Sequence, residues 1–143
     1  MPTYYIMDIN DTMPEAVGKN MPTSEEINSC KWLTKEELEV YTSEYGRTGF
    51  QGGLNWYRSG GSTGNREKLE LFSGMQIKIP AMFIAGKQDW GIYQRPGAID
   101  KMKHDICTNM GEINLVDDAG HWVQQEQPES VTNLLTNFLG SLP

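Results

Sequence analysis

Only two cysteines occur in the chain, Cys30 and Cys107, with no Cys-x-x-Cys spacing and no second ligand beside either. That pattern supports neither a disulfide framework nor a cysteine zinc site, and both thiols read as reduced packing residues. Histidine is as scarce, with His104 and His121 alone. Twelve basic residues face 19 acidic ones, giving a formal net charge of -7 and a pI near 4.8. Lysine and arginine nowhere cluster, so a nucleic-acid partner is set aside, because phosphate binding needs concentrated positive charge. No uninterrupted apolar run approaches membrane length. The opening residues, Met-Pro-Thr-Tyr-Tyr-Ile-Met-Asp, lack the charged and apolar regions of a signal peptide. No membrane partner is expected, and a cytosolic location is the default.

What is present is ordinary for one globular domain: 143 residues, 38% hydrophobic and 22% charged. Residues 1–23 carry prolines at 2, 14 and 22 and predict irregular structure or one short helix. Thr23 and Thr34 each stand three residues before a glutamate, the capping-box spacing, so helices are expected from both. The second would carry Leu38, Tyr41 and Tyr45 on one face and stop at Gly46 and Gly49. Phe50, Leu54 and Tyr57 give another short helix. The run Gly-Gly-Ser-Thr-Gly, 60–64, is a flexible break between a helical segment, 1–64, and an α/β segment, 65–143. It has no Gly-Lys-Ser/Thr ending and no strand before it, so nucleotide binding is discounted.

Beyond that break the pattern changes period. Ala81 to Ala85 is apolar on both faces, as a parallel strand covered by helices must be, with Pro80 at its start, where no ladder donor is required. Pro96 opens a helix containing Ile99 and Met102, and Ile113 to Val116 forms the next buried strand. Pro128 then begins a helix with Val131, Leu134, Leu135, Phe138 and Leu139 at helical spacing. The resulting strand-loop-helix-strand-loop-helix order is the end of a parallel α/β sheet. Asp89 follows the first strand and His121 the second, so both fall at the carboxyl edge where such sheets collect their chemistry.

A carboxylate that bonds one imidazole nitrogen leaves the other free as a base, which is the chemistry this pair suggests. Asp117 and Asp118 are nearer His121 along the chain and fit a turn-capping role. His104, among Lys101, Lys103 and Asp105, reads as solvated. Trp90 and Trp122, each beside a member of the pair, suit either a pocket lining or domain packing, and Tyr57 read by itself suits a core aromatic.

Pro-Ala-Met-Phe-Ile-Ala-Gly-Lys-Gln-Asp-Trp-Gly (80–91) and Asp-Ala-Gly-His-Trp-Val-Gln-Gln-Glu-Gln-Pro-Glu (118–129) together resemble the C-terminal part of an α/β-hydrolase of the epoxide hydrolase type. Arg-Thr-Gly-Phe-Gln-Gly-Gly-Leu-Asn-Trp-Tyr-Arg (47–58) resembles the end of that family's cap domain. The resemblance implies a helical cap remnant followed by a partial parallel sheet. Asp89 would be the charge-relay acid, His121 the base that activates water, and Tyr57 a cap tyrosine donating to the epoxide oxygen. Trp56, Trp90 and Trp122 would face a small apolar epoxide. No metal or organic cofactor is implied.

The same resemblance implies two segments ahead of the cap, a His-Gly-x-Pro oxyanion loop and an elbow bearing an aspartate nucleophile. Neither occurs here, and the first cap tyrosine is unassigned, Tyr4 or Tyr5 being the residues nearest that place. The expectation is a fragment of marginal stability that self-associates or pairs with a missing N-terminal half. A haloalkane or haloacid dehalogenase, which shares the acid-histidine pair, and a non-catalytic remnant or binding module are the alternatives.

Overall fold

The computed structural model describes residues 8–60 and 62–143; Tyr4 and Tyr5 lie outside them. The described residues form two compact units, one of residues 8–32, 82–96 and 113–143 and the other of 33–60, 62–81 and 97–112.

The first unit holds the end of the sheet and the helices that follow it. Its opening segment forms two single-box helices, α1 (Met13–Gly18) and α2 (Ser24–Ser29). In α2 the Glu26 carboxylate accepts from the Thr23 amide at 2.7 Å and from the Thr23 hydroxyl at 2.9 Å, while the Glu26 amide donates back to that hydroxyl. β1 (Ala81–Gly86) and β2 (Met110–Val116) make a two-stranded sheet. Both strands advance together from Ala81 N donating to Asn109 O to Lys87 N donating to Val116 O, so the pairing is parallel. A single helical turn, α7 (Val123–Glu126), then leads into α8 (Pro128–Gly140). Proline at the first position of α8 supplies a fixed φ where no amide donor is needed.

In the second unit α3 (Lys35–Thr48) begins at Thr34 with a reciprocal box to Glu37. It runs through Gly46 and ends at Gly49, whose φ of 68° is the left-handed conformation a side chain would oppose. The Tyr45 ring stacks on Phe50 at 4.6 Å, just before α4 (Gln51–Gly60). α5 (Thr63–Glu70) begins inside the 60–64 glycine run and continues through the charged stretch after it. The helix opened by the Pro96 turn, α6 (Ala98–Lys101), continues as a wider π turn through Ile106. Ile77 bridges Cys107 in parallel, with Gln76 Nε2 donating to Asp105 O at 3.1 Å.

Buried apolar residues among the described ones are small: Ala16, Ala85, Cys107, Ala119 and Val131. On α8 only Val131 is buried, with Leu134 and Phe138 half-buried, while Leu135 and Leu139 are exposed. One stripe of the helix is thus shielded from solvent and the adjacent stripe is open. β1 was expected to be enclosed on both faces, and only its last residues, Ala85 and Gly86, are buried. No helix among the described residues is long and apolar enough to cross a membrane.

The capping glutamates give a pH prediction. Hydrogen bonds from the Thr23 backbone, and then from its hydroxyl, hold the Glu26 carboxyl below its usual value. A depressed folded-state value means the contribution is present above the ordinary carboxylate range and is lost as pH falls through the folded value. Acidification is therefore expected to fray α2, read from the backbone shifts of residues 23–29. Glu26→Ala, which removes the carboxylate that both Thr23 groups bond, should remove most of that acid-dependent change, and an unchanged response in the variant would show that the box does not cause it.

Candidate active site at the strand ends

The turn after β1 is built around Asp89. Its amide donates to Gly86 O at 3.0 Å, closing the turn, and its Oδ1 accepts from the Gly91 amide at 2.8 Å, opening a 3-10 turn over Trp90–Tyr93. A β-carbon on Gly91 would lie 3.0 Å from that oxygen, so glycine keeps the acid seated. Asp89 is 9% exposed, the buried charged residue among those described. Tyr93 adds a hydroxyl bond to Lys87 O on the same turn.

The loop after β2 brings His121 to this acid. Nδ1 lies 3.2 Å from Asp89 Oδ1 and 3.1 Å from Oδ2, while about half of the imidazole side chain stays open to solvent. With Asp89 ionised and accepting from a backbone amide, the shared proton belongs on His121 Nδ1. Nε2 is then the unprotonated, basic nitrogen of the neutral ring. The Trp122 ring meets the imidazole edge-on at 5.3 Å.

The two acids nearer His121 in sequence make other contacts. Asp117 pairs with Lys87 Nζ at 2.7 Å across the strand ends, a contact that raises the Lys87 ammonium above its usual value. Asp118 takes a left-handed φ of 54°, and its carbonyl accepts from Gln127 Nε2. His104 is exposed on the π turn, as its charged neighbours imply.

Close backbone approach is what lets the two loops meet. Gln88 N donates to Ala119 O at 2.9 Å, and a β-carbon on Gly86 would overlap the carbonyl oxygens of Ala119 and Gly120. Gly86→Ala is accordingly expected to lower stability by about 3 kcal/mol, because backbone rather than a mobile side chain must move. Denaturant unfolding of the purified chain checks this, and a change within about 0.5 kcal/mol, the range of neutral surface substitutions, would contradict the close approach.

Tyr57 and Trp56 lie in the second unit, on α4, and are 78% and 79% exposed. They line an open, largely apolar cleft of about 630 Å³ with Asn65, Lys68 and Leu69 of α5. Trp90 starts the turn that Asp89 caps and is half-buried. No group of three or more His, Cys, Asp or Glu side chains placed to hold a metal ion occurs among the described residues. Two site residues were missed in the sequence, Gly86 and Glu126. The second accepts from the Gly120 amide at 2.7 Å and the Trp122 amide at 2.9 Å. The only sequence signal for it was a glutamate five residues after the histidine.

A helical region, a parallel strand pair with flanking helices, and an acid and a histidine at consecutive strand ends define the C-terminal portion of an α/β-hydrolase fold. The structure superposes on potato (Solanum tuberosum) epoxide hydrolase I with a TM-score of 0.70 at 29% identity, covering 87% of this chain and 39% of that one. It matches epoxide hydrolase A from Mycobacterium thermoresistibile with a TM-score of 0.67 at 41% identity, over 80% of this chain and 34% of the other. In sequence it is 39% identical over 133 residues to epoxide hydrolase A of Mycobacterium tuberculosis (strain ATCC 25618 / H37Rv), which spans 92% of this chain. No protein-family profile matches it. Its homologues are epoxide hydrolases, and it corresponds to a C-terminal part of such a protein. The chain spans about a third to two-fifths of the length of these relatives, 36% of the M. tuberculosis protein.

Proposed function

We propose that this chain supplies the water-activating end of an epoxide hydrolase, converting an epoxide and water to a vicinal diol through an alkyl-enzyme ester. The observation that carries the reading is the Asp89–His121 contact at 3.1 Å on a chain whose relatives bear that name. In the first step a carboxylate nucleophile, which these residues do not contain, attacks an epoxide carbon. The carbon–oxygen bond breaks, and the Tyr57 hydroxyl gives the alkoxide its proton. In the second, His121 Nε2 takes a proton from water as it attacks the ester carbonyl, and Asp89 stabilises the imidazolium. The alcohol then leaves, the carboxylate is regenerated, and the imidazolium proton returns by way of solvent to the Tyr57 phenolate.

Within this reading residues 1–64 are the cap segment and 65–143 the end of the core, in a cytosolic setting that suits the free thiols Cys30 and Cys107. The substrate is a small apolar epoxide facing Trp56, Trp90 and Trp122. The missing half is the partner that covers the open apolar surface. Leu71, Phe72 and Ile79 are 82%, 62% and 71% exposed, and a two-stranded sheet is marginal by itself. Self-association is the other way to cover it.

The test joins the chain to an N-terminal hydrolase segment carrying a His-Gly-x-Pro loop and an aspartate elbow, and offers an epoxide and haloalkane or haloacid substrates in parallel. Diol formation supports the proposal. Halide release without diol replaces it with a dehalogenase, and a folded, joined protein inert to all substrates makes the chain a non-catalytic remnant.

A further inference from the structure

His121 has few restraints of its own: one carboxylate, the edge of Trp122, and solvent over half its side chain. Its direction is therefore set by the backbone on either side. The single turn α7 folds Glu126 back beneath the loop, so that Oε2 takes the Gly120 amide and Oε1 the Trp122 amide, the backbone N–H groups of the two residues next to the histidine. Glu126 is half-buried, and Gly120 leaves room for its carboxylate: an added β-carbon would come within 3.4 Å of Oε1. One rigid group thus fixes both ends of a three-residue window.

We infer that Glu126 is a positioning residue, a carboxylate clamp that holds His121 Nδ1 on Asp89 and so selects the tautomer with a free Nε2. Ionisation suits the task, since only a carboxylate offers two acceptor oxygens without a competing donor. The other anchors act at different places: Ala119 O on Gln88 N fixes the loop's approach, and Asp118 O on Gln127 Nε2 fixes its entry. The first shares the Ala119–Gly120 peptide with the clamp, and neither holds the Trp122 amide, which among these contacts only Glu126 fixes. The clamp rests on the Asp89–His121 reading above and is testable without turnover.

The experiment uses the full 143-residue chain with ¹⁵N-labelled histidine, comparing the parent with Glu126→Ala and the nearly isosteric Glu126→Gln, which keeps one acceptor. The parent is expected to show a protonated Nδ1 and an unprotonated Nε2 on the neutral His121 ring. Glu126→Ala should mix the tautomers and speed exchange of the Gly120 and Trp122 amides about tenfold, with Glu126→Gln between the two. Leu134→Ala, which loosens α8 without touching the loop, should leave the tautomer as in the parent; an equal shift there makes the effect one of general stability and overturns the clamp. A parent-like tautomer in both Glu126 variants also overturns it. A parent lacking the Nδ1-protonated form overturns the acid–histidine reading itself, and the clamp with it.

Discussion

Offered an epoxide, the 143-residue polypeptide by itself is expected to form diol at a rate lower by about six orders of magnitude than the same chain joined to a nucleophile-bearing segment. The physical reason is that general-base catalysis here acts on an ester, and the ester requires a carboxylate placed in line with the epoxide carbon. His121 and Asp89 activate water, but water aimed at a free epoxide lacks the oriented leaving group and the oxyanion donors of the second step. Groups that work as a unit lose nearly everything when one is absent, so the residual pair does not retain a proportionate share. Chromatographic quantification of diol from full-length material, verified by mass, decides the point. Sustained turnover by the polypeptide alone would mean that one of its own residues is the nucleophile.

His121→Gln in the joined protein should separate the two chemical steps. Alkylation of the supplied aspartate needs no base, so one equivalent of epoxide is consumed per enzyme. Hydrolysis of the resulting ester then stalls, with steady turnover reduced by about 10⁴ or more. Intact-mass analysis should find the protein heavier by one epoxide, stable over the time in which the parent turns over repeatedly. Asp89→Asn is expected to do nearly as much harm while preserving shape, because an amide oxygen and NH₂ no longer impose one imidazole tautomer. If His121→Gln kept the parent's turnover, the water-activating role would pass to another residue, and the 3.1 Å contact with Asp89 would be structural.

Much of the local structure was legible because it depends on neighbours in the chain. The capping boxes at Thr23 and Thr34 start helices where they should, since the hydrogen bonds involved close within four residues. The apolar run after Pro80 is a strand, and Pro128 opens a helix. Finer boundaries went astray where one signal had two meanings. Gly46 lies inside α3, whereas Gly49, at positive φ, ends it. The Pro96 helix begins at Ala98 and widens into a π turn at Met102, which lets Cys107 reach its bridge with Ile77.

By itself, then, the amino-acid order determined the α/β class, the helix starts at Thr23, Thr34 and Pro128, and the placing of an acid and a histidine after consecutive strands, all consequences of period and turn chemistry. Tertiary structure supplied the register of two parallel strands that brings Asp89, the acid already favoured over Asp117 and Asp118 from the sequence, within 3.1 Å of His121. It also decided that Gly86 must lack a side chain and that Glu126 grips the histidine's flanking amides. Those contacts arise only when two separate loops are brought within hydrogen-bonding distance, and no local pattern encodes that approach.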